Sequence, residues 1–186
     1  HDIDLFFITS KNSLWVSRFF VNVILLLLTE KRMYGSPFVA DKICPNMFLS
    51  ETQLTISKKN LYSAHEVAQM KVLISKDNMF YKFLAKNKWV LSFLPNSFQI
   101  EKPIKLNNRF IFHPIMLFEP LFYILQKIYM AKKITQEEIS YDKAFFHPVR
   151  HDTAIMSLYY LKVHFQTKHL SFKQEDRKNH DYAHAN

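Results

Sequence analysis

The sequence predicts an α+β fold, a small mixed sheet flanked by helices, with a mostly helical C-terminal half. Three observations carry this expectation. Over the first 57 residues the order reads strand, helix, strand, strand. From Asn60 onward the apolar spacing changes to that of a helix. Of the 186 residues, 48% are hydrophobic and 16% aromatic, which suffices for a buried core and argues against general disorder.

Residues 2–9, DIDLFFIT, read as a strand that enters an apolar middle from a polar end. Residues 10–13 supply turn and cap chemistry, and Asn12 or Ser13 can accept from the free amides of the next helix. A long, mostly buried helix is expected over 14–32, closed by Lys31 and Arg32, whose charges suit its C-terminal dipole. Its apolar run over 19–28 is about half the roughly 20 residues that a bilayer span needs, so it predicts a buried core helix and no membrane span. The loop over 34–41 holds Pro37 and the only glycine, Gly35. Residues 42–50 read as a second strand, which Pro45 demotes to an edge or kinks. Residues 52–57 alternate Leu54 and Ile56 with polar neighbours and read as a short strand.

In the second half, Leu61, Ala64, Val67, Ala68 and Ile74 keep helical spacing. Asp77 is expected to cap a further helix bearing Phe80, Phe83, Leu84 and Trp89, stopped near Pro95. Residues 96–113 look irregular. Pro120 suits a first helical turn, and Leu121, Ile124, Leu125 and Ile128 follow on one face. Thr135 with Glu138 has the spacing of a capping box. Asp152 is placed to cap a last helix with Ile155, Leu158 and Tyr159. The predicted organisation is a partial α/β core over 1–58, a helical region packed on it over 59–167, and a polar, His-rich tail over 168–186 expected to be disordered.

Composition removes several function classes. One glycine leaves no Walker or Rossmann phosphate loop. One cysteine, Cys44, leaves no internal disulfide and no Cys-rich zinc site, and it suits a reducing cytoplasm, the expected location. Nothing basic precedes a short apolar run at the start, so no signal peptide is read. The chain opens at His1, directly into an apolar strand, which predicts residues upstream of it. A net charge of +9 favours phosphate-bearing partners. The cations are dispersed, with only the pairs Lys58-Lys59 and Lys132-Lys133, so a solubility bias spread over the surface accounts for the charge equally well.

The sharpest chemical feature is Asp2-Ile3-Asp4-Leu5. Residues two apart on a strand project from one face, so the two carboxylates repel unless something positive lies between them. A hard divalent ion such as Mg2+ suits them, because it takes oxygen ligands and leaves positions for substrate phosphates. Taken alone, the pattern is more often that of two solvated acids at the start of a strand.

The wider run, His1 to Thr9 as HDIDLFFIT, resembles the second half of the nucleotidyltransferase signature of the DNA polymerase beta superfamily. Leu14-Trp15, Lys42-Ile43-Cys44-Pro45-Asn46, Leu61-Tyr62-Ser63-Ala64-His65-Glu66, Asn87-Lys88-Trp89-Val90 and Phe145-Phe146-His147-Pro148 are similar to stretches of bacterial and archaeal proteins of that kind. The resemblance implies transfer of a nucleoside monophosphate from a nucleoside triphosphate to an acceptor hydroxyl. Asp2 and Asp4 would be the catalytic carboxylates, holding two Mg2+ ions. The acceptor, whether small molecule, protein or RNA, is left open, as is the oligomeric state. The family's Gly-Ser element, which precedes D-x-D, lies outside this sequence, so little activity is expected of the chain alone. The family also uses a third carboxylate on a neighbouring strand. No acid occurs over 42–50; Asn46 stands in a plausible place for that third metal position, and Asp41 and Glu51 border it. Asparagine can bind a metal or a hydroxyl but cannot take a proton. The alternative reading is therefore a module that keeps the fold, has lost catalysis, and binds or regulates a partner.

Other residues carry weaker expectations. His65-Glu66-Val67-Ala68-Gln69 falls one residue short of a zinc-protease motif, because Gln69 replaces the second histidine. His65 and Gln69 still share a helix face and could line a nucleotide or substrate cleft, or sit as a surface pair. Arg18 lies within an apolar helix; if buried it needs a partner, an acid or a phosphate, and otherwise it faces outward. His147, Arg150, His151 and Asp152 could contact phosphate, or simply form a turn and a cap. His180 and His184 have the spacing of a metal pair in a polar tail. Cys44 has no base beside it and reads as packing.

Overall fold

Strand β1 (Ile3–Thr9) leads through helix α1 (Leu14–Leu27) to strand β2 (Ile43–Ser50), and the two strands lie parallel. The helix supplies the crossover that parallel neighbours require. Helices α2 (Leu61–Gln69) and α3 (Met79–Lys86) come next, then a 3-10 turn at Lys88–Ser92. A second 3-10 turn, Pro114–Phe118, runs into α4 (Glu119–Met130), and a hairpin of β3 (Glu138–Ser140) and β4 (Lys143–Phe145) completes the sheet. The strand order is β1-β2-β4-β3, with β1 at an edge and the last two pairings antiparallel. The protein is thus α+β, with a four-stranded mixed sheet. The structure, a computed structural model, describes residues 2–33, 37, 40–99, 114–131, 138–146 and 153–167. The chain divides into two compact units, 1–148 and 149–186.

An irregularity in β2 organises the core. Asp4 pairs with Cys44 and Leu5 with Pro45, but Phe6 pairs with Met47. Asn46 is the extra residue of a bulge, next to a proline that has no N–H to give the ladder. The extra residue reverses the alternation of β2. Beyond it, Leu49 joins Phe6 and Ile8 in one apolar cluster with Leu54, Ile56, Val67, Phe83 and Val90, which places α2 and α3 on that face. Phe48 joins Phe7 in a second cluster with Leu14, Trp15, Met130 and Ala144, which places α1 and α4 on the other. The Phe7 and Phe48 rings stack at 4.8 Å. The first cluster runs across residue 58, so the strands and the helices after them share one core.

Several local expectations are corrected. Helix α1 ends at Leu27, five residues short of Arg32. Thr29, at φ 58°, is left-handed; its N–H meets the Leu26 carbonyl and the Glu30 N–H meets the Leu25 carbonyl, a Schellman closure. A β-branched residue there costs about 1–2 kcal/mol, so the stop is imposed by pairing beyond the helix: Arg32 and Glu30 exchange backbone hydrogen bonds with Ile43. The run over 19–28 is not the buried core helix expected of it, because only Leu25 is buried while Phe20, Ile24, Leu27 and Leu28 are exposed. Ser13 is the N-cap residue of α1, but its side chain accepts no amide of the helix; the hydroxyl donates instead to the Ser10 carbonyl.

Residues 52–57 form no strand. Leu54 and Ile56 are buried as their alternation suggests, but the buried Asn87 side chain takes the place of a neighbouring strand. Its amide donates to the Leu54 carbonyl at 2.8 Å and accepts the Ile56 N–H at 2.9 Å. The cap of α3 is Asn78, not Asp77; both are left-handed, and the Ser75 hydroxyl accepts the Phe80 N–H. Glu138 belongs to β3 rather than to a capping box, and its carboxylate meets Lys143 of β4 at 3.0 Å. In α4 the stripe Leu121, Ile124, Leu125 and Ile128 faces outward, because Glu119, Phe122, Tyr123, Gln126 and Met130 take the inner side. The remaining sequence expectations on Gly35, Lys132-Lys133, Thr135, the residues 147–152, His180, His184 and the tail over 168–186 lie outside the described residues. Taken by itself, the second unit contains a helix over 153–167. No helix among the described residues is long and apolar enough to cross a membrane.

Candidate functional site

Asp2 and Asp4 flank Ile3 at the start of β1, on the face that period-two alternation gives them in common. Ligand atoms of Asp2, Asp4 and Cys44 all lie within 4.8 Å of one another. Cys44 joins them because it is the register partner of Asp4 in the parallel pair. Asn46, two residues beyond Cys44 on the same strand, faces the same place, and its Nδ2 donates to Asp4 Oδ1 at 2.7 Å. Arg32, released by the early end of α1, reaches back and donates to Asp2 Oδ2 at 2.5 Å. Two acids, an amide, a thiol and a guanidinium thus converge at the sheet's edge.

The electrostatics follow from this geometry. Burial pushes the Cys44 thiol above its ordinary value, and the nearby Asp4 charge adds to that; contact with Arg32 opposes both without reversing them. A thiol is in any case a soft ligand, ill matched to a hard cation such as Mg2+. Partial desolvation pulls Arg32 downward, and its attraction to Asp2 and Cys44 outweighs that, holding the guanidinium above its ordinary value.

The donor set fits a hard cation through two carboxylates only. Mg2+ is commonly held by one or two protein carboxylates, with water and phosphate oxygens completing its shell. Asp4 also lines a cleft of about 670 Å3 that runs along β1 and is bounded on its far side by residues 70–77. Glu66 and Gln69 of α2 line the same cleft, as do Lys71 and Lys76.

The residues singled out from sequence are only partly united. Asp2, Asp4 and Asn46 come together. His65 is exposed on α2, and it is its neighbour Glu66 that lines the cleft. Arg18 is directed into the α1–α4 side, its guanidinium 4.3 Å from the Phe146 ring centroid and bonded to Gln126. Burial lowers its pKa to about 10. Of the bordering acids, Glu51 accepts the Lys11 backbone N–H at the other end of β1 from Asp2. Sequence reasoning misses Arg32, Lys71 and Lys76. By its charge Arg32 reads as the close of a longer helix, while the two lysines sit in an irregular stretch with no periodic signal.

An α+β chain with a carboxylate pair at the edge of a mixed sheet is the class that fold and site define. Comparisons with protein-family models, with curated proteins and with solved structures find no match to this chain.

Proposed function

We propose that this protein binds a nucleoside triphosphate through a divalent cation held by Asp2 and Asp4, in the manner of the nucleotidyltransferases that its first strand resembles. The observation that carries the reading is the convergence of the two carboxylates, one of which, Asp4, opens onto a cleft along β1. A bound Mg2+ would supply charge neutralisation for the phosphates and for a departing pyrophosphate. The chain's own residues do the rest. Asn46 holds Asp4 in place and Arg32 holds Asp2 until a cation replaces it, while Lys71 and Lys76 share the cleft with the acids Asp4, Glu51, Glu66 and Asp77, so the phosphate chain depends on the cation for its attraction.

A second reading, binding without transfer, is favoured by one observation. Among the described residues β2 offers Cys44 and Asn46 at the site and no carboxylate. The amide cannot take a proton from an acceptor hydroxyl. Mg2+-dependent nucleotide binding with little or no transfer is the expected behaviour.

Calorimetric titration of a nucleoside triphosphate with Mg2+ and with EDTA tests this. Binding should require Mg2+ and vanish in Asp4→Asn. Equal affinity in EDTA, or in Asp4→Asn, removes the assignment. A parallel assay for released pyrophosphate separates transfer from binding alone.

A further inference from the structure

Among the described residues, helix α4 turns polar groups toward α1 and an apolar stripe away from it. Its inner side carries the Glu119 carboxylate and the Gln126 amide, both bonded to α1. Its outer side carries Leu121, Ile124, Leu125 and Ile128, which are 51%, 53%, 53% and 68% exposed. Leu117 and Phe118 of the preceding 3-10 turn, and Tyr129, extend that face and are at least half exposed. In a soluble helix an apolar stripe of this spacing marks the side that is covered, and contiguous exposed apolar patches of this size mark interfaces.

We infer that the outer face of α4 is the contact between two copies of this chain. Three features select that occupant. The first is size. Side chains of this kind, half or more exposed, present on the order of 100 Å2 each, and seven of them approach the ~800 Å2 per partner of a stable protein interface. The second is charge. The chain carries +9 overall, so two copies repel through most orientations, but Leu121, Ile124, Leu125 and Ile128 form a stripe without a charged residue. The third is pattern. Positions 121, 124, 125 and 128 read the same in either direction. An antiparallel two-fold pairing therefore sets Leu121 against Ile128 of the second copy and Ile124 against Leu125 of the second copy, as an isologous contact demands. A lipid surface fits less well, because membrane-surface helices flank their apolar face with several lysines or arginines, and α4 has Lys127 alone.

Sedimentation velocity of the full chain tests this directly. The wild type should sediment at twice the 22.3 kDa chain mass. Ile124→Glu alone and Leu125→Lys alone should each be monomeric, with unchanged far-ultraviolet circular dichroism, since both side chains are more than half exposed in the single chain. Mixing the two variants should restore the dimer, because the antiparallel register brings the new glutamate of one copy against the new lysine of the other. A monomeric wild type overturns the proposal, and so does a dimer that survives both substitutions. A wild-type monomer that co-sediments with anionic phospholipid vesicles overturns it too and assigns the face to lipid. Should either variant lose its helical signal, Ile128→Lys, at the most exposed position of the stripe, takes its place. None of these outcomes depends on nucleotide binding.

Discussion

The Asn87 side chain serves Ile56 as a neighbouring strand would, accepting its backbone N–H at 2.9 Å while donating to the Leu54 carbonyl at 2.8 Å. The same amide donates to the Phe83 carbonyl at the end of α3 and accepts the Trp89 indole N–H at 3.0 Å. One fully buried side chain therefore joins three segments of the first core. Asn87→Ala leaves the buried Ile56 N–H and Leu54 carbonyl without this partner, and each such orphan costs about 1–3 kcal/mol. A loss of roughly 3 kcal/mol or more is expected in urea denaturation, with m unchanged. Asn87→Asp keeps the acceptor and loses the donor, so it should fall between. A loss near zero in Asn87→Ala would mean that the loop over 52–57 is held some other way.

Glu119 caps a helix to which it does not belong. Its carboxylate accepts the Trp15 N–H at 2.7 Å and the Val16 N–H at 2.9 Å in the first turn of α1. Burial pushes the carboxyl above its ordinary 4.5, outweighing the opposing pull of those amides. The folded state thus holds the proton more tightly than the unfolded chain does. The resulting stability is complete below the ordinary value and is lost as pH rises through the higher folded one. Glu119→Gln keeps one acceptor and sets an NH2 against the other amide, a deficit of about 1–3 kcal/mol. That deficit should be largest in acid and shrink as pH rises above 4.5. Denaturation of both proteins across that range checks the slope, and a deficit that grows with pH contradicts it.

These two residues show what is legible in the sequence and what is not. Alternation places Leu54 and Ile56 in the core, and the α+β class and the strands β1 and β2 are legible, but the short hairpin of β3 and β4 falls in the half that reads as mostly helical. Side chains that satisfy distant backbone, such as Asn87 and Glu119, leave no periodic trace, so a loop reads as a strand and Ser13 as the acceptor for amides that Glu119 takes. The carboxylate pair is legible because two neighbouring positions on one strand suffice to define it. Asn46 is legible too, as a polar residue on the neighbouring strand two places from the Asp4 partner Cys44, whereas Arg32 is not, since its position depends on where α1 stops. The outward stripe of α4 is visible as a stripe, but periodicity alone does not say which side a core lies on.

Arg18 is a candidate for cofactor binding by sequence, and the geometry gives it a different task. Its guanidinium stacks over Phe146 and bonds Gln126, and its Nε has no hydrogen-bond partner. A buried cation so poorly matched is often replaced at no cost by an apolar side chain of similar length. Arg18→Met should change stability by no more than about 1 kcal/mol and should leave Mg2+-dependent nucleotide affinity as in the wild type. A large fall in affinity with unchanged stability would return Arg18 to the binding site.

Asn46 offers the sharpest test of the cation site, because the substitution that supplies the missing carboxylate changes few atoms. In Asn46→Asp a third acid replaces an amide that now donates to Asp4 at 2.7 Å. Without a cation the new repulsion and the lost hydrogen bond should lower the melting temperature by about 3 °C for each kcal/mol. Mg2+ at millimolar concentration should reverse the loss, since a ligand that binds only the folded state stabilises it by RT ln(1 + [L]/Kd). The rise on adding Mg2+ should exceed that of the wild type and should disappear in Asp4→Asn/Asn46→Asp. If transfer fails for want of a proton acceptor, Asn46→Asp should also raise pyrophosphate release. A melting temperature that stays low whatever the Mg2+ concentration would show that these oxygens do not share an ion.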